Sequence, residues 1–331
     1  MRTAELCARF DMGLDFFKRK RKVESPKEVR PETEYKTYGN LEQPGYTWRL
    51  THLEEGDTEG IRYTEKDKEF ATDRVHSAFA AFGRNIDIDW GKITLREIRR
   101  TRFYDPRFQD GLMQHMGGKL LIMVPHKVDN QGDFTTSVKE ARLTLSHELM
   151  HAVGVSLLTE GETDGELRRS VRSGLHQVSS VEHEEDRPDL RHYGQMLNEA
   201  FVSTLNDDRS YPFPRRIFKK VVEKITKRER SRNPQWREKD TMKLFADSYL
   251  DGWQPELMDK IIDAYGVLGF KALMSLQSFD FGNEKDYYRF YGDNPLEIFM
   301  ESEGVPSEAM AQAILAHSSP EARKANQRMI M

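Results

Sequence analysis

One short stretch, Thr144–Gly154, narrows the folds open to this chain. It reads H-E-x-x-H: two imidazoles, His147 and His151, with the carboxylate of Glu148 beside the first. Residues at that spacing share a face of a helix, one turn above the other. Two neutral imidazoles so placed can ligate a single Zn²⁺, and the glutamate can then reach the water that fills an open coordination position. The segment therefore has to be helical, with its opposite face buried.

The flanking residues agree. Ser137-Val-Lys-Glu140 has the S-x-x-E form of a capping box, which satisfies orphan amides at a helix start. Gly154 is expected to end the helix in a left-handed conformation. Between them Val138, Ala141, Leu145, Leu149 and Ala152 form an apolar stripe on the side away from the histidines. The stripe is expected in the core, and His147, Glu148 and His151 are expected to look out into a cleft.

Composition limits what else the chain can do. Its net charge of −4 sets up no global field toward nucleic acid or membrane. The single cysteine, Cys7, excludes an internal disulfide framework and a thiolate metal cluster. No run reaches the 18 or so apolar residues of a membrane span, and Glu5, Arg9, Asp11 and Asp15 break up any signal-peptide core. The expected location is the cytoplasm, with signal-independent export left open.

Residues 1–45 read as an accessory, flexible segment with a basic cluster, Lys18-Arg-Lys-Arg-Lys22. Ordered structure is expected over 46–331 as a single domain, with an N-terminal lobe at 46–155 and a helical C-terminal lobe at 156–331. Strands are expected at Tyr46–Thr51, Ile61–Thr64, Ile86–Trp90, Ile93–Ile98 and Lys119–His126, the last kept from continuing as a central strand by Pro125. A helix should follow Thr64, with Ala71, Val75, Ala78, Phe79 and Phe82 inward and Gly83 as its stop. Leu167–Val178 reads as a strand, and Val181–Pro188 as a surface loop. From residue 214 helical spacing dominates, in segments near 214–226, 238–250, 255–265, 269–277, 295–302 and 306–317. Arg215, Lys219, Lys220, Lys224, Lys227, Arg228 and Arg230 form a basic helix face, read as solvated rather than as a nucleic-acid contact.

A catalytic zinc usually has three protein ligands and a water. His176, His183 and His192 are candidates for the third, the latter two in apparent loops. The pattern H-E-x-x-H-x-x-G-x-x-H matches through Gly154 but places Leu157 where the third histidine belongs. Glu199 lies on a helical segment opposite Leu197, Phe201, Thr204 and Leu205, so its carboxylate points away from the buried face.

Leu197-Asn-Glu199-Ala, following H-E-x-x-H in this order, resembles the second helix of the gluzincin metallopeptidases. Val171-Arg-Ser-Gly174 is similar to the segment before that helix in several of them. The resemblance covers roughly residues 119–206 and implies an α+β zincin-like fold: a small mixed or antiparallel sheet and the active-site helix in the first lobe, helices in the second. It implies one Zn²⁺ per chain on His147, His151 and Glu199, Glu148 as general base, and a peptide or protein substrate. Tyr193 is the candidate second donor to the oxyanion, with a packed helix-start tyrosine as the alternative. The thermolysin-like branch has an aspartate where this chain has Ser203, so Ser203, Asn206, Asp207 or a group from elsewhere must orient the histidine. The implied activity is that of a zinc-dependent endopeptidase, its substrate extended along an edge near Leu120–Val124. The alternative is a degenerate or metal-stabilised zincin acting as a protein-binding module.

Overall fold

The computed structural model describes residues 36–38, 63–98, 112–116, 119–125, 138–163, 166–182, 189–207, 211–276, 293–302 and 304–317. The basic cluster at 18–22, the candidate strand Tyr46–Thr51, Ser137 of the expected capping box and His183 lie outside the described residues.

In chain order the elements are β1 (Lys36–Tyr38), α1 (Glu65–Ala80), a 3₁₀ turn (Trp90–Lys92), β2 (Ile93–Ile98), β3 (Leu112–Met116) and β4 (Lys119–Pro125). Then come α2 (Val138–Val153), β5 (Ser156–Thr163), β6 (Glu166–Ser173), β7 (His176–Glu182), β8 (Asp189–Tyr193) and α3 (Gln195–Asn206). The chain continues as α4 (Pro212–Arg232), α5 (Glu238–Asp251), α6 (Pro255–Ser275), α7 (Asp293–Glu301) and α8 (Glu308–His317). This is an α+β architecture with two sheets. One is three-stranded in the order β2-β4-β3; the other is five-stranded in the order β1-β5-β6-β7-β8.

α1 starts where Thr64 predicts. The Asp67 carboxylate accepts from the Thr64 amide and hydroxyl, both at 2.8 Å, and its other oxygen accepts from Arg142 Nε at 2.7 Å. One buried acid thus caps α1 and ties it to α2. Ala71, Val75 and Phe79 are fully buried, as the stripe requires.

Several expectations need correction. Ile86–Trp90 is not a strand: it runs extended without ladder partners into the 3₁₀ turn. Ile86, Ile88 and Trp90 pack against the core while the alternate residues are exposed, and Trp90 Nε1 donates to Thr72 on α1. β4 is the middle strand of its sheet, parallel to β2 and antiparallel to β3, so it offers no open edge. Pro125 is tolerated there as the terminal residue, opposite Ile98. Leu167–Val178 is two strands, not one: β6 and β7 turn at Gly174-Leu175 and pair Ser173 with His176. The lobe after residue 155 is therefore not helical from its start; a four-strand antiparallel meander, β5 to β8, precedes its helices.

Glycine is required at that turn for two reasons. Gly174 has φ +58, and a Cβ there would lie 2.4 Å from the Tyr249 ring and 2.6 Å from Asn198 Oδ1. Gly154 does follow the last residue of α2, but it has no positive φ. Its need for glycine comes from close approach: an added Cβ would meet the Tyr249 ring at 2.8 Å.

The helical lobe packs around a continuous core that includes Phe201, Phe218, Phe245 and Tyr249, with ring centroids 4.9–6.5 Å apart between contacting pairs. α6 is interrupted at Gly266 (φ 73, ψ 168), which divides it as the separate segments 255–265 and 269–277 anticipate. The basic face of α4 is largely engaged within the protein. Lys220 pairs with Glu301 at 2.5 Å and Arg228 with Asp263 at 2.5 Å. Lys224 donates to the backbone and side-chain oxygens of Ser302 at 2.8 Å and lies over the Tyr265 ring. Among the described residues no helix is long and apolar enough to cross a membrane.

Candidate metal centre

α2 and α3 pack against each other and bring the two sequence motifs together. Leu145, Leu149 and Ala152 are buried as the stripe requires, but so are Ser146, His147, Glu148, Met150 and His151. The expected outward-facing histidines are instead only 6% (His147) and 8% (His151) exposed. Their face of α2 is covered, and Glu199 from α3 reaches over it.

His147 Nε2 lies 3.0 Å from His151 Nε2, and Glu199 Oε2 lies 3.4 Å from the first and 3.2 Å from the second. Three donor atoms thus form a nearly equilateral triangle. Two neutral imidazole lone pairs facing each other at this distance repel unless a proton or a cation sits between them. A tetrahedral ion with ligand bonds of about 2.0–2.1 Å has ligand–ligand edges of about 3.3 Å. The triangle matches that edge, so His147, His151 and Glu199 could hold one metal ion. Two imidazoles and one carboxylate suit transition metals better than cations that prefer all-oxygen sites.

The carboxyl of Glu199 has opposed influences. Burial pushes its pKa up, but the charges and hydrogen bonds of His151 and His147 pull it further down, well below the usual carboxylate range. It is a ready anionic ligand. Glu148, one residue after His147, is 6% exposed. Tyr249 stays a neutral phenol: burial first, then the charges of Glu199 and Glu148, push its pKa well above the usual value. Its hydroxyl donates to the Met150 carbonyl at 2.6 Å, which fixes the turn of α2 between the histidines.

Among the residues near the triangle, Asn198 meets His151 directly, and Ser203 is fully buried on α3. Asn198 Nδ2 lies 3.2 Å from His151 Nδ1, and its Oδ1 accepts from the Leu175 amide at 2.9 Å. The β6–β7 turn thereby fixes the Asn198 amide with an N–H toward Nδ1, which favours the neutral His151 tautomer protonated at Nε2; a metal on Nε2 needs that amide turned to accept from Nδ1–H. Asn206 serves packing instead: it accepts from Ser146 at 2.7 Å, donates to the Leu143 carbonyl at 2.8 Å, and takes Arg74 at its own carbonyl. Asp207 is exposed past the end of α3 and pairs with Arg215 at 3.5 Å. The signal for Asn198 was present in the N-E-A triplet, since it directly precedes the carboxylate ligand.

His176 and His192, the other candidates for a third ligand, form a pair of their own across β7 and β8. His176 Nε2 lies 3.1 Å from His192 Nδ1, with rings stacked at 5.3 Å. The pKa of His176 falls to about 3, through burial first and then the charge of His192, offset in part by Glu199. An unfolded chain takes up a proton at the ordinary histidine pKa of about 6.5 that the folded chain refuses. Stability therefore falls as pH drops below about 6.5, by about 1.4 kcal/mol per pH unit for one such group. Urea unfolding of metal-free protein between pH 7 and 5 is expected to show this slope, and His176→Gln to flatten it. An unchanged slope in the mutant would contradict the assignment.

Tyr193 is the last residue of β8, opposite Gln177, and packs half-buried against the core. The ring that lies over the His147 imidazole is that of Tyr211, with centroids 6.0 Å apart and planes inclined by 30°. Sequence reasoning missed Tyr211, which carries no motif.

Compared with protein-family models, curated proteins and solved structures, the chain has no match.

Proposed function

We propose that this chain is a zinc-dependent endopeptidase of the gluzincin type, with His147, His151 and Glu199 as ligands and Glu148 as general base. The observation that carries this reading is the donor triangle, with edges of 3.0, 3.2 and 3.4 Å, built from H-E-x-x-H on one helix and a glutamate on the next. Zinc is favoured because two imidazoles and a carboxylate with an open fourth position form the usual donor set of hydrolytic zinc sites.

Zinc held by His147, His151 and Glu199 would supply Lewis-acid chemistry, lowering the pKa of a bound water to about 7 and polarising a carbonyl. Glu148 would take a proton from the attacking water and pass it to the leaving amine. Tyr249 holds the backbone of α2 through its bond to the Met150 carbonyl. An extended peptide would add to the side of β2 or β3 that is unpaired among the described residues, since β4 is paired on both sides. Backbone pairing of that kind is indifferent to sequence, in keeping with an endopeptidase.

The test is chelation and return of metal, with fluorescein-labelled casein as substrate. Treatment with 1,10-phenanthroline is expected to abolish cleavage while far-UV circular dichroism stays unchanged, and added zinc to restore it. A chain that cleaves nothing when zinc-loaded and unfolds on chelation would instead be a metal-stabilised binding module.

A further inference from the structure

We infer that the side-chain amide of Gln195, one helical turn before Glu199, is a substrate-binding group: it pairs with a main-chain amide of the peptide held at the metal centre. The inference rests on the peptidase reading above and adds a subsite to it.

The first observation is an unmet hydrogen bond. Gln195 Oε1 is enclosed by the protein, and no protein group donates to it. Leaving a buried amide oxygen unmet costs stability, and a methionine of nearly the same length would avoid that cost. The chain instead keeps a glutamine there. An amide carries both a donor and an acceptor, so the argument holds whichever of its two ends faces inward.

The second observation is position. Gln195 and Glu199 are four residues apart on α3, so they share a face, one turn above the other. Helical side chains lean toward the N-terminus of their helix. Glu199, whose carboxylate lies 3.2 Å from His151 Nε2, thus leans toward the turn that carries Gln195. β7 lies on the other side: Gln177 pairs with Tyr193, so the next step of the ladder sets His176 beside Gly194. A Cβ on Gly194 would in fact lie 2.4 Å from the Leu175 carbonyl. The end of α6 fixes the start of α3, because the Gly194 amide donates to the Met274 carbonyl at 2.7 Å and the Met196 amide to the Leu276 carbonyl at 3.3 Å. Gln195 is therefore presented from a rigid corner beside the metal centre.

The surroundings select an uncharged ligand. His176 is engaged with His192, and burial together with the charge of His192 lowers its pKa to about 3, so it stays neutral. A bound divalent ion would balance the charge of Glu199. A peptide main chain is uncharged and offers an N–H and a C=O, the complement of the C=O and N–H of a glutamine amide. Such a contact aligns the substrate without reading its side chains, as an endopeptidase requires.

The test compares Gln195→Met and Gln195→Ala with the wild type as zinc-loaded full-length chains. Three ligands are titrated by calorimetry: acetohydroxamate, N-acetyl-glycylglycine hydroxamate and malonyl-hydroxamate glycinamide. The first has no further main-chain amide, and the other two extend from the zinc in opposite chain directions. One of the extended pair is expected to bind wild type about tenfold tighter than acetohydroxamate, the worth of one hydrogen bond. Both variants should lose that gain and keep their affinity for acetohydroxamate. For casein, KM should rise about tenfold with kcat little changed, because the lost contact is present before and during reaction. The Tm of Gln195→Met should hold or rise, since no unmet acceptor is left behind. A gain that survives in the variants, or no gain in the wild type, would overturn the proposal, as would a fall in Tm with KM and kcat unchanged. Hydroxamate binding without casein cleavage would sink the peptidase reading and leave the subsite to be decided by the calorimetry. If the wild type binds none of the three, the metal centre has failed and the subsite falls with it.

Discussion

Glu148→Gln is expected to lower kcat by about 10²–10⁴-fold while the metal stays bound, the range a positioned general base contributes. The effect corresponds to about 3–5 kcal/mol of transition-state stabilisation. It follows from a division of labour on α2: His147 and His151 turn their Nε2 atoms toward Glu199, whereas Glu148 is not one of the three donor atoms of the triangle. Glutamine keeps the size and the hydrogen-bonding capacity of the buried side chain, so zinc content and Tm should match the wild type. KM should change little, because the loss falls on the transition state. Equal casein cleavage by wild type and Glu148→Gln would contradict the mechanism. Loss of zinc from the mutant would mean that Glu148 is a ligand.

Glu199→Ala is the second large effect, and it acts on affinity. The substitution removes one corner of the triangle and leaves two imidazoles 3.0 Å apart with no anion to balance a divalent charge. Groups that merely orient a ligand are worth about 10–100-fold in metal affinity, so loss of the ligand itself should exceed about 100-fold. Competition with a chromophoric chelator at pH 7.5 would measure it. Wild-type affinity in Glu199→Ala would remove this carboxylate from the site and point to another third ligand, with His176 next in line.

The site was legible to the extent that its chemistry is local in sequence. H-E-x-x-H fixes a helix and one of its faces at once, and the apolar stripe through Leu145 and Leu149 says which face goes to the core. Glu199 was accessible for the same reason, since Leu197 and Phe201 mark the buried side of its helix. What the spacing could not convey was how deeply the histidine face itself would be covered, because that depends on the approach of α3. Asn198 was one residue from a named ligand, yet its role depends on Leu175, which only the β6–β7 turn brings near. Tyr211 had no signal at all: a left-handed tyrosine before proline is not something propensity suggests.

The fold errors have a common physical source. Period-two alternation reports an extended chain with one buried side, not the presence of hydrogen-bonding partners. Ile86–Trp90 shows the alternation faithfully but lies against α1 and the core without a ladder. Pro125 suggests an edge position for β4, although a proline at the end of a strand costs no pairing beyond itself. Gly174 interrupts Leu167–Val178 in plain view, and its role rests on the Tyr249 ring, which fills the space a side chain would need. The helices after residue 211, by contrast, follow their apolar spacing closely, down to the break at Gly266. Helical periodicity reports a face buried against any neighbour, so it survives ignorance of which neighbour that is.

The central claim, a single zinc held by two helices, is tested most directly by the metal content of untagged wild-type protein, measured by inductively coupled plasma mass spectrometry after exhaustive gel filtration. The account predicts about one zinc per chain, in keeping with three protein ligands and a fourth position left to water. A folded wild-type chain that carries no zinc, and takes none up when it is supplied, would contradict it.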